Sequence, residues 1–87
     1  MRTRKWVTSP SYKAVISGLV AARKKAAMTQ RDLAEVLGKP PSWVAKIEQG
    51  ERRLDIVEFV AVARALGQSE VTLFRTFAAN LPKRLDI

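Results

Sequence analysis

The sequence predicts an all-α protein, a compact bundle of five short helices, and three observations carry that prediction. Apolar residues recur every three to four positions in one segment after another, which is the period of a helix with one face turned to a core. No stretch alternates apolar and polar residues as a half-buried strand does. Pro10, Gly38, Pro40, Pro41, Gly50, Gly67 and Pro82 fall between the periodic segments, where helices start and stop.

The first helix opens at Ser9-Pro10, with Ser9 as N-cap and Pro10 in the first turn, and its apolar face is Tyr12, Val15, Ile16, Leu19, Val20 and Ala22. Thr29 caps a short second helix whose inward positions are Leu33, Ala34 and Leu37, and Gly38 ends it as a left-handed residue does. Lys39-Pro40-Pro41 interrupts the chain, because proline lacks the N–H and forces its predecessor to be extended. Pro41 suits the first turn of a third helix, which runs to about Gln49 and stops at Gly50. A fourth helix is expected over Leu54–Leu66 with Ile56, Phe59, Val60, Ala63 and Leu66 inward. Ser69 caps a fifth with Val71, Phe74, Ala78 and Leu81 inward, and Pro82 ends it. The chain so divides into a basic arm over residues 1–8, one domain over 9–81 and a short tail over 82–87.

Charge and composition narrow the functions. Eighty-seven residues make one small domain. Sixteen Lys and Arg against eight Asp and Glu leave a net charge of +8, which suits a polyanionic partner. Seven of those surplus charges precede residue 29, where seven basic and no acidic side chains occur; residues 29–87 hold nine and eight. The chain has no Cys and no His, which excludes disulfides, zinc held by those residues and catalysis that depends on them. No glycine loop cradles a phosphate and no carboxylate cluster forms a recognisable pocket, so an enzyme is not expected and no cofactor is implied. The longest apolar run, Phe59 to Ala63, is too short for a bilayer, and no signal-type stretch follows the basic start. A soluble cytoplasmic protein with no membrane partner is the expectation.

Two short helices joined by a tight turn containing Gly have the outline of a helix-turn-helix, here helices two and three. Ala34 is small where these helices must approach, and Leu33, Leu37, Val44 and Ile47 supply their apolar contact. Met28-Thr29-Gln30, Leu33-Ala34, Leu37-Gly38, Val44, Ile47-Glu48, Gly50 and Ala63-Arg64-Ala65-Leu66-Gly67 together resemble the Cro/repressor-type helix-turn-helix family of phage and bacterial regulators, over Leu19 to Gly67.

The resemblance implies that helix three enters the major groove of double-stranded DNA. At about 100° per residue, Val44, Ile47 and Glu48 share one side of it, and Ser42, Ala45, Lys46 and Gln49 lie opposite. Lys46 has two readings, a donor to guanine O6 and N7 or a phosphate contact. Ser42 suits a base or a phosphate, and Ala45 a thymine methyl. Pro41 stands where relatives often carry a polar base-reading side chain, which limits it to apolar contact. Trp43 flanks the helix, either packed on helix two or donating its indole N–H to a phosphate. In the family the residue matching Gln30 grips a phosphate at a helix N-terminus, against the plainer reading of an exposed polar side chain. Gln49, Arg52 and Arg53 lie in the loop that the family uses for further backbone contacts. Lys39 replaces a residue that is usually apolar, and its methylene stem can cover the same surface. Glu48 falls on the inward face, where an unpaired carboxylate is costly. Arg23 stands at the family position that pairs with it, so a structural Arg23–Glu48 salt bridge is expected.

The arm, with Arg2, Arg4, Lys5 and Trp6, either follows a groove of the duplex or is a solvated terminus. One reading helix makes a short footprint, so a homodimer on a palindromic operator is expected, with spare apolar residues Leu73 and Phe77 on helix five and Val57 and Val62 on helix four as candidate contacts. The leading function is a sequence-specific transcriptional regulator without a small-molecule effector. An antitoxin-like protein-interaction module that binds its own promoter is the alternative, and a nonspecific nucleic-acid coat is a third reading.

Overall fold

Ser9 opens the first helix by accepting a hydrogen bond from the Tyr12 N–H at 3.2 Å, with Pro10 in the position that needs no donor. In the computed structural model, which describes residues 9–86, five helices follow one another and no strand occurs among the described residues. They are α1 (Pro10–Lys25), α2 (Gln30–Leu37), α3 (Pro41–Glu48), α4 (Ile56–Ala65) and α5 (Glu70–Asn80). The arm expected over residues 1–8 lies outside the described residues. None of the five helices is long and apolar enough to cross a membrane.

Each end has a chemical cause. Arg23, Lys24 and Lys25 sit in the last turn of α1, where cations meet the negative end of the helix dipole. The chain then turns through Ala27 at φ 58°, and the Met28 N–H closes on the Arg23 carbonyl at 3.2 Å. That left-handed closure usually falls to glycine. Thr29 and Asp32 cap α2 reciprocally, each side chain bonded to the other's backbone N–H at 3.0 Å. Gly38 ends α2 at φ 68°, and the Lys39 N–H returns to the Ala34 carbonyl at 2.9 Å. This tight reversal brings α3 directly after α2 and against it.

The core is assembled from small groups on every helix: Leu19 and Ala22, Leu33 and Ala34, Val44 and Ile47, Val62, Ala63 and Leu66, Leu73 and Phe77. Ala34 and Ala63 are wholly enclosed, so α2 approaches its neighbours where no larger side chain would fit. The contacts run α2 to α3 and α4, α1 to α3 and α5, and α4 to α5.

Three expectations change. α4 begins at Ile56 and not at Leu54, because Asp55 and Glu58 form a capping box, with the Glu58 N–H on Asp55 Oδ1 at 2.7 Å and the Asp55 N–H on Glu58 Oε1 at 3.0 Å. Leu54 stays outside the helix, its N–H donating to the Tyr12 hydroxyl at 3.2 Å. The rotation of α4 also differs: Ile56, expected inward, is 74% exposed, and Val62, expected to be spare, is buried. On α5 the two apolar strips exchange roles, with Leu73 and Phe77 in the core and Val71, Phe74 and Ala78 exposed. Gly18 is the physical reason for the second exchange. A Cβ there would lie 2.7 Å from Phe77 Cε1, so the bare glycine of α1 is the slot that receives the Phe77 ring. Phe77 also meets Phe59 edge to face at 5.4 Å between centroids, which fixes α5 to α4 in the same rotation.

Candidate nucleic-acid interface

α3 is anchored from below by Val44 and Ile47 and from its end by Glu48. Arg23 reaches Glu48 with both arms of its fork, Nε to Oε2 at 2.7 Å and Nη2 to Oε1 at 3.0 Å. Its remaining arm donates from Nη1 to the Met28 carbonyl at 2.8 Å. Gln30 donates from Nε2 to Glu48 Oε1 at 2.8 Å. One carboxylate so joins the end of α1, the first turn of α2 and the last turn of α3. Burial pushes the Glu48 carboxyl up, but the hydrogen bonds from Arg23 and Gln30 and the charges of Arg23 and Lys24 outweigh it and hold it below the ordinary carboxylate range. The Arg23 guanidinium is pushed up, chiefly by its hydrogen bonds to Glu48.

The opposite side of α3 faces solvent. Ser42 and Lys46 are exposed on it and Ala45 is half-buried, with exposed Pro41 at the leading end and exposed Gln49 as the C-cap. Gln30 is half-buried at the start of α2. Its amide has two N–H donors, and the hydrogen bond to Glu48 uses one of them.

Trp43 sits on the flank between the two faces. Its half-buried ring lines a small apolar pocket with Leu33 and Leu54. Two cations bracket it: Lys39 from the α2–α3 turn, its Nζ 5.7 Å from the ring centroid, and Arg52 from the α3–α4 loop, its Cζ at 5.0 Å. Lys39 is exposed, and its ammonium stands over the ring. Arg52 makes a fork to Glu58, Nη1 to Oε1 at 2.9 Å and Nη2 to Oε2 at 2.7 Å, and also donates from Nη1 to the Arg53 carbonyl at 2.8 Å. Those hydrogen bonds are the largest cause of the lowered Glu58 carboxyl and of the raised Arg52 guanidinium. Arg53 is exposed and lies 5.7 Å over the Tyr12 ring.

The sequence reading missed Glu58. Its signal is the spacing Asp55-x-x-Glu58, which falls inside the helix expected over Leu54–Leu66. A second missed contact joins the tail to α1. Ser11 donates its N–H to Asp86 Oδ1 at 3.2 Å and its hydroxyl to the same oxygen, and the Asp86 N–H lies 3.4 Å from Ser11 Oγ. Among the described residues, no group of His, Cys, Asp or Glu is placed to hold a metal ion.

Known proteins share this arrangement. A family model described as Helix-turn-helix matches residues 19–73. Among solved structures, an XRE-family like protein from Pseudomonas syringae pv. tomato is 40% identical, with 83% of this chain and 88% of that one covered and a TM-score of 0.75. The clp gene regulator ClgR from Corynebacterium glutamicum is 25% identical, with 79% of this chain and 73% of that one covered and a TM-score of 0.69. No curated protein sequence matches. The α2–turn–α3 geometry, the family match over more than half of the chain and the 40% identical structure together place this chain in the Cro/repressor-type, or XRE, family of DNA-binding helix-turn-helix proteins.

Proposed function

We propose that the chain is a sequence-specific transcriptional regulator that lays α3 in the major groove of double-stranded DNA and works as a homodimer on a palindromic operator. The observation that carries this reading is the exposure of Ser42 and Lys46 on a helix, and of Gln49 at its C-cap, with that helix locked to the body by Glu48. A base-reading helix gains from such rigidity, because a loose one must lose conformational freedom on binding. In this reading Lys46 and Ser42 discriminate bases, Ala45 and Pro41 let the helix approach closely, and Gln30, Lys39, Trp43, Gln49 and Arg53 contact the backbone.

The dimer face in this reading is the seam between α4 and α5. Ile56 and Val57 on α4 and Val71 and Phe74 on α5 are all more than half exposed. Phe74 meets Phe59 of α4 edge to face, at 6.2 Å between ring centroids. Large apolar side chains left this exposed on two packed helices are where this reading puts the second copy. Arg64 and Glu70 pair at 2.9 Å on the same two helices, so their charges offset each other where two copies of a +8 chain would approach.

Selection of random duplexes by the purified chain tests the reading. A palindromic motif is expected, with Lys46→Ala relaxing preference at particular positions by about 1 to 3 kcal/mol. No enriched motif would overturn it.

A further inference from the structure

The loop after α3 carries a contact set that the DNA-binding reading leaves unused. Arg52 comes from a loop where a basic side chain would ordinarily be assigned to a phosphate, yet its guanidinium is already engaged. Both oxygens of Glu58 take its fork, the Arg53 carbonyl takes a third N–H, and the Trp43 ring lies beneath it. Glu58 is itself held, since its Oε1 also accepts from the Asp55 N–H in the capping box of α4. The guanidinium is thus tied to a helix terminus rather than to a mobile side chain.

We propose that Arg52 and Glu58 act as a positioning pair for the DNA-reading surface, with Arg52 clamping Trp43 and the α3–α4 loop against α3 instead of contacting a phosphate. The inference rests on the reading of α3 as a DNA-binding helix. Trp43 projects from α3, Lys39 approaches it from the preceding turn and Arg52 from the following loop. Holding the indole therefore fixes the two loops that flank the reading helix. The charge argument agrees: a guanidinium with a carboxylate oxygen at 2.7 Å adds little to the field that attracts a polyanion, and a phosphate would have to displace that carboxylate.

The two roles differ in the sign and salt dependence of substitution effects. A phosphate contact releases counterions, so its loss lowers the slope of log K against log salt by about 0.9. Lysine replaces arginine tolerably at a point-charge contact but not at a forked, stacked one. Glu58→Gln is the sharpest variant, because glutamine still accepts the capping-box hydrogen bond while the charge is lost. If Glu58 only restrained a phosphate-binding Arg52, its neutralisation would raise affinity and steepen the slope. If the pair positions the loop, affinity falls and the slope stays.

The experiment titrates a mixed-sequence duplex and any duplex recovered by selection with wild type, Glu58→Gln, Arg52→Gln and Arg52→Lys across salt concentration. All are prepared in a Trp6→Phe background so that Trp43 emission reports the clamp, and thermal unfolding confirms that each is folded. Expected are about tenfold losses for all three variants, unchanged slopes, no rescue by lysine and altered Trp43 emission. Tighter binding by Glu58→Gln, full activity of Arg52→Lys, or a slope reduced by one contact in Arg52→Gln would each overturn the proposal. A wild-type chain that binds no duplex overturns the DNA reading itself; unchanged Trp43 emission in Arg52→Lys and Glu58→Gln would then overturn the clamp separately.

Discussion

Arg23 and Glu48, twenty-five residues apart in sequence, form a buried two-pronged ion pair at 2.7 and 3.0 Å, with side chains only 10% and 9% exposed. A pair removed from water this far is costly to break from one side, because the abandoned partner keeps its charge. Arg23→Ala is expected to lower the unfolding free energy by about 3 to 5 kcal/mol in urea titration. Gln30→Glu probes the same carboxylate by setting a like charge beside Glu48 where an amide now donates, and should lower stability at neutral pH and regain part of it in mild acid.

Acid should act through the same group. The Glu48 and Glu58 carboxyls lie below their ordinary value of 4.5 in the folded chain. The unfolded chain then binds protons more readily, so stability is full above about pH 4.5 and is lost as pH falls through the lower folded values. With no His and no Cys in the chain, no side chain is expected to titrate between about pH 6 and 8, and unfolding curves there should superimpose. Glu48→Gln should flatten the acid limb measured from about pH 5 to 3.

Two backbone positions should respond with opposite signs. Ala27 holds φ 58°, a conformation that costs an L residue about 1 to 2 kcal/mol. Ala27→Gly should therefore raise the thermal midpoint, with a gain of about 1 kcal/mol. Gly18→Ala removes a helix-interior glycine, normally worth about 1 kcal/mol. Here the new methyl meets Phe77 at 2.7 Å, and overpacking at a cost of about 1 to 3 kcal/mol should outweigh that gain.

If the α4–α5 seam joins two copies, a charge on it should separate them. Val71 is 63% exposed in the first turn of α5, where an acidic side chain suits the helix dipole. Val71→Glu should change sedimentation at micromolar protein from dimer to monomer, and its thermal midpoint should lose the dependence on protein concentration that a dimer shows. An unchanged dimer would move the interface elsewhere.

Local chemistry made much of this legible. The caps at Ser9, Thr29 and Ser69, and the left-handed Gly38, follow from residue types that satisfy helix ends in only a few ways. The inward set on α2 and α3 was equally clear, because each carries one apolar strip. α5 carries two, Leu73 with Phe77 and Val71 with Phe74, and periodicity cannot choose between them. The choice was made by Gly18, fifty-nine residues before Phe77, through a cavity visible only after α1 and α5 meet. Arg52 shows the same limit on the surface. A basic residue in a loop offers a charge to anything, and only the folded chain reveals that Glu58 and Trp43 occupy it.

The contact between Ser11 and Asp86 gives the molecule a further property, because it nearly closes the domain into a ring. The first turn of α1 and the residues after α5 already meet, so a short Gly/Ser linker from residue 86 to residue 9 would span little distance. New ends could then be opened in the turn between α4 and α5, at exposed Gly67 and half-buried Gln68, without cutting α2, α3 or the Arg23–Glu48–Gln30 junction, at the cost of the Gln68 hydrogen bonds to the Ala63 and Ala22 carbonyls. The order in which the helices are strung is thus separable from the surface they build.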